Sequence, residues 1–144
     1  MRTIRMLSSA VLVGSMALFA PGGASAAPST TYTGTFDGRI TYEGCTPNVA
    51  KARTSGEWTM ALHGTSAKGT FNILVNGQPH VSYVFPMMKQ SPIGPDYAFS
   101  LYGVTQAGLL TVTLTNDGEM TYVIAPYGLD GVTCDSVTYP GRAT

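Results

Sequence analysis

Among the residues of this 144-residue chain that could do chemistry are two histidines, two cysteines and eight carboxylates. His63 and His80 both fall on the polar phase of alternating segments, which predicts two exposed strand residues. No H-x-H or H-E-x-x-H spacing joins them into a metal site. The carboxylates Asp37, Glu43, Glu57, Asp96, Asp117, Glu119, Asp130 and Asp135 are scattered, with no spacing that sets two of them across a cleft as a glycosidase requires. Asp117 and Asp130 sit beside glycines and read as turn residues, and the loop around Asp130 lacks the alternating oxygen ligands of a calcium site. No Gly-x-Ser-x-Gly elbow occurs. Cys45 and Cys134 lack the neighbouring Cys or His that would complete four zinc ligands, so an oxidising compartment predicts one disulfide between them. Such a bridge closes a loop of about 90 residues, for which the chain-entropy argument gives about 4–5 kcal/mol. These residues describe a protein that is not an enzyme and that carries no cofactor and no metal.

Aromatic side chains are the better candidates for function. Trp58, Tyr83, Tyr97 and Tyr122 fall on the inward phase of their segments, and a phenol turned inward needs a polar partner or a wet cavity. They are the predicted lining of a binding pocket in the interior. Trp58 also reads as a core anchor whose indole N–H is paired inside. Gly56-Glu57-Trp58 resembles the Gly-x-Trp opening of lipocalin and avidin barrels, where the Trp packs at the closed end. The likeness covers three residues, follows an extra strand, and carries no ligand over to this chain. A second candidate is the segment from Pro86 to Pro95, where prolines stiffen an extended connection around Met87, Met88 and Lys89. Such a loop could enter a protease specificity pocket.

Around these residues the hydrophobic beat has period two from Tyr32 onward, the pattern of strands with one buried face. It runs through Trp58, Met60 and Leu62; Phe71, Ile73 and Val75; Val81, Tyr83 and Phe85; Phe99 and Leu101; Leu110, Val112 and Leu114; and Met120, Tyr122 and Ile124. Earlier and later strands are expected around Tyr32 to Tyr42 and Val132 to Tyr139. Asn76-Gly77 and Asn116-Asp117-Gly118 are hairpin signals. About eight antiparallel strands with tied ends predict an up-and-down β-barrel, with a two-sheet β-sandwich as the alternative. Leu74, Val84, Tyr102, Leu109 and Val123 form an outward apolar set, which would suit a protein partner or a homodimer if they cluster.

The first 26 residues read as a signal peptide, with Arg2 and Arg5 before an apolar stretch from Leu7 to Ala20 and Ala24-Ser25-Ala26 at the cleavage site. Residues 27–31 are expected to be a flexible N-terminus and 32–144 one β domain. The apolar stretch is shorter than the roughly 20 residues a spanning helix needs, so no membrane attachment is expected after cleavage. A formal net charge of zero, with 11% of residues charged, argues against a nucleic-acid partner, which would need a basic surface. The expectation is a secreted, non-catalytic β-barrel that binds a small or extended ligand in its interior. The alternative is an extracellular protease inhibitor or protein-interaction module acting through Met87, Met88 and Lys89.

Overall fold

A computed structural model describes residues 29–90 and 94–144. The predicted signal peptide, residues 1–26, lies outside the described residues. The described chain contains strands and no helix, so none is long and apolar enough to cross a membrane. In chain order the strands are β1 (Ser29–Phe36), β2 (Gly38–Arg39), β3 (Thr41–Glu43), β4 (Arg53–His63), β5 (Ser66–Val75) and β6 (Gln78–Gln90). They continue with β7 (Tyr97–Val104), β8 (Gly108–Thr115), β9 (Glu119–Leu129), β10 (Val132–Cys134) and β11 (Ser136–Ala143). Ser29, Thr30 and Thr31, expected in a flexible terminus, instead pair with His63, Leu62 and Ala61.

All pairings are antiparallel, and β4 to β9 follow one another as hairpin neighbours. β11 pairs with β9 through Tyr122–Tyr139 and its neighbours, and with β1 through Phe36–Gly141; β1 then pairs with β4. Eight principal strands thus curl into an open half-barrel, while β2, β3 and β10 attach along its rim. The seam between β6 and β7 is short: among the described residues they meet at Lys89–Tyr102 and Gln90–Leu101.

The turns follow local chemistry. Asn76 (φ 50°) and Gly77 (φ 78°) both adopt the left-handed region that a two-residue hairpin requires. At the β7–β8 turn the Thr105 hydroxyl accepts from the backbone N–H groups of Ala107 and Gly108 and donates to the Gly108 carbonyl. One element differs from expectation. Pro86, Met87, Met88 and Lys89 were predicted to lie in a connecting loop but are part of β6, with Met88 opposite Ala67 and Lys89 opposite Ser66. The ladder skips a register step between Ala67 and Gly69. This bulge accommodates Pro86, which has no N–H to donate. The connection shrinks accordingly, and its residues 91–93 lie outside the described residues.

The period-two beat becomes the core: Trp58, Met60, Phe71, Ile73, Phe99, Leu101, Leu110, Val112, Leu114, Met120, Tyr122 and Ile124 are all buried. Trp58 plugs one end. Its indole N–H donates to the Thr35 carbonyl at 3.3 Å, and its ring meets Phe99 edge-on at 6.3 Å. Gly34 and Gly141 make room for it. A Cβ on Gly34 would stand 2.1 Å from the Arg142 carbonyl oxygen and 2.4 Å from the indole ring. Cys45 and Cys134 form the expected disulfide, beside the isolated bridge between Thr46 and Thr133.

Gly34→Ala is therefore expected to destabilise the fold by about 1–3 kcal/mol through overpacking, and Trp58→Ala by about 3–5 kcal/mol. Both are read as a fall in urea midpoint at an unchanged slope. Reduction of the disulfide should lower the same midpoint, by about 4–5 kcal/mol in the chain-entropy argument.

Candidate functional site

The end of the barrel opposite Trp58 is built differently. β7 stops at Val104 and turns back through Thr105, Gln106 and Ala107, whereas β6 continues past this turn to Gln78. A cleft of about 250 Å³ opens at this mismatch, lined by Val81, Thr105, Gln106, Ala107, Tyr122, Ile124 and Leu129. Among the described residues no charged side chain lines it. Tyr122 and Ile124 come from the inward phase of β9, and Leu129 precedes the Asp130–Gly131 turn into β10.

A second bulge shapes this mouth. Ile73 pairs with Val81 but Leu74 pairs with Pro79, which leaves His80 as the extra residue of β6. Bulges re-aim side chains, and His80 reaches the Tyr139 hydroxyl, with Nε2 3.2 Å from it. β6 and β11 lie on opposite sides of the sheet's circuit, so this hydrogen bond crosses the mouth. His80 is exposed, as expected, but is engaged in a contact that its polar phase alone did not predict. His63 lies a full length of β5 away, at the β4–β5 turn, so the two histidines form no joint site.

Tyr139 is buried and packs edge-on against Tyr122 at 5.7 Å. Tyr122 in turn meets Phe71 at 4.9 Å and Phe36 at 5.9 Å. Burial pushes the Tyr139 phenol well above its ordinary value, reinforced by Tyr42, Tyr127 and Tyr122. The half-buried phenols of Tyr42 and Tyr127 are also raised, again chiefly by burial; Tyr127 adds to the first and Asp130 to the second. The mouth is thus an array of neutral phenols beside an apolar cleft, built to hold hydrogen bonds rather than charge.

Of the predicted lining residues, Tyr122 is in the cleft. Trp58 is in the plug at the other end, filled in by protein atoms. The backbone of Tyr83 pairs with Phe71 in the middle of β6. Tyr97 is not inward: it is 42% exposed at the start of β7, because an irregularity between Tyr97 and Phe99 breaks the alternation. Trp58 and Tyr97 thus lie away from the cleft that Tyr122 lines. Sequence reasoning missed Thr105, Gln106, Ala107, Leu129 and Tyr139. The Val137–Tyr139 alternation in the last strand was the available signal for Tyr139; the others owe their place to where β7 ends.

A larger hollow of about 430 Å³ lies at the Trp58 end, lined among others by Asp37, Asp117, Glu119 and Arg142. It carries side chains of both charge signs, unlike the cleft at the other end. Its ion pair between Arg142 and Asp37 spans 3.9 Å, with both side chains well exposed, and such pairs contribute little. Among the described residues no group of three or more His, Cys, Asp or Glu side chains is placed to hold a metal ion.

The fold and site define a disulfide-linked, all-β half-barrel with an uncharged cleft at its open end. Comparison with protein-family models, with curated proteins and with solved structures finds no match for the chain.

Because burial favours the neutral phenol, the native state holds the Tyr139 proton more tightly than the unfolded chain, whose phenols titrate near 10.0. The stability this contributes is complete below that pH and is lost as pH rises towards the folded value. Tyr42 and Tyr127 act with the same sign. Urea midpoints should fall as pH is raised above about 10, and Tyr139→Phe should flatten that fall while costing about 1 kcal/mol at neutral pH for the lost hydrogen bond.

Proposed function

We propose that this chain is an exported, non-catalytic barrel module that holds a small uncharged molecule in the cleft between β6, β9 and the β7–β8 turn. The observation that carries this reading is the cleft lining: apolar walls from Val81, Ile124 and Leu129, the Tyr122 ring, and no charge. An ionic ligand would lose its hydration there without gaining a partner. Thr105 spends its hydroxyl on the turn. Gln106 is left as the exposed amide at the rim, able to donate through its NH2 group and accept through its carbonyl oxygen. The ligand class that fits is a compact apolar molecule with a single hydroxyl, amide or carbonyl group. Export is supported by the leader pattern and by the disulfide, a bond that persists in oxidising compartments.

The uncharged fluorophore N-phenyl-1-naphthylamine provides the test. It should bind saturably with one-to-one stoichiometry and be displaced by uncharged alcohols but not by fatty-acid anions. Ala107→Trp, which fills the cleft, should weaken binding at least about tenfold, equivalent to about 1.4 kcal/mol. Tyr97→Ala, exposed and remote, should leave it unchanged. Absence of saturable binding, or equal affinity in Ala107→Trp, overturns the reading.

A further inference from the structure

We infer that the outer edge of β6 is a self-association surface, where two copies of this chain join through antiparallel pairing of their β6 strands. The inference is independent of the ligand reading. Along its β5 side, β6 is laddered from Gln78 to Lys89. On the other side β7 supplies partners only for Lys89 and Gln90, and among the described residues no other strand pairs with the stretch before them. That stretch overhangs the β7–β8 turn and presents a row of unpaired backbone donors and acceptors. Only another extended polypeptide can satisfy such a row in series.

The chemistry of the edge favours a second copy as that polypeptide. Edge strands are commonly guarded by charged side chains, yet none occurs from Gln78 through Met88. In a two-fold pairing the residues near the axis face their own counterparts, so a charge there would meet its own sign. An uncharged edge has no such conflict. Pro79 and Pro86, each at a bulge, limit the regular run to Val81 through Phe85 and so set the register. Flanking this run the outer surface is apolar: Val84 is 49% exposed, and across the seam the cross-strand pair Val104 and Leu109 is 75% and 46% exposed. Pairing of two β6 edges would cover Val84 and bring these residues under the partner.

Native mass spectrometry and sedimentation velocity of the exported, oxidised protein over a micromolar concentration series should detect a dimer that dissociates on dilution. The Ser82 and Val84 amides should gain hydrogen-exchange protection as concentration rises. Val84→Lys, at an exposed position, should keep the circular dichroism spectrum and weaken the dimer at least about tenfold. Thr31→Lys, exposed on β1 and away from the β6 edge, should leave the dimer intact and so separate a local effect from one of added charge. A monomer at every concentration, a dimer indifferent to Val84→Lys, or a different polypeptide protecting the same amides on a monomer would each overturn the inference.

Discussion

Closure by the last strand is the constraint on which the structure depends. β4 to β9 are a meander, and a meander alone leaves two bare edges. β11 covers β9, β1 covers β4, and β11 and β1 pair with each other to complete the circuit. This placement brings Gly141 against Thr35 and Trp58, and Tyr139 against Tyr122. The plug at one end and the phenol array at the other therefore share a single strand. The disulfide supports the same arrangement from outside, joining the segment after β3 to β10 just before β11 begins.

Closure is incomplete at β6 and β7 because the two strands differ in length. The β5–β6 hairpin continues to its Asn76–Gly77 turn while β7 has already reversed at Thr105. A fully laddered seam would have placed backbone where the cleft now lies. The cleft and the free β6 edge are thus consequences of one mismatch. The bulge that turns His80 towards Tyr139 belongs to the same overhang and ties its end to the opposite wall.

Much of this was legible in the sequence. The period-two beat identified most of the core, the Asn-Gly and Asp-Gly dipeptides marked turns, and an even pair of cysteines specified its own partner. Alternation failed where the backbone inserts an extra residue. Tyr97 lies beyond an irregularity and Pro86 lies in a bulge, and nothing in a residue's type announces that its neighbour is unpaired. Prolines at 86, 92 and 95 read as a stiff loop because proline removes a donor, but a bulge tolerates that loss inside a strand. The cleft was hidden for a different reason. Its lining comes from a strand, a turn and the far end of a hairpin, and their meeting depends on strand lengths set by the whole barrel.

The two ends of the barrel also differ in what their burial demands. At the Trp58 end the single polar atom of the plug is matched by one backbone carbonyl, and glycines let the ring lie flat against the chain, so the space is filled and specific. At the mouth the buried atoms include phenolic hydroxyls, which lose free energy if left without partners. His80 satisfies Tyr139 from a bulged, exposed position, so this partner is held by one side chain rather than by a ladder. The mouth accordingly combines a rigid apolar floor with hydrogen bonds at its rim, and rim bonds made by exposed side chains are easier to rearrange than a buried ladder. That asymmetry leaves one end closed by packing and the other bridged by a side-chain contact.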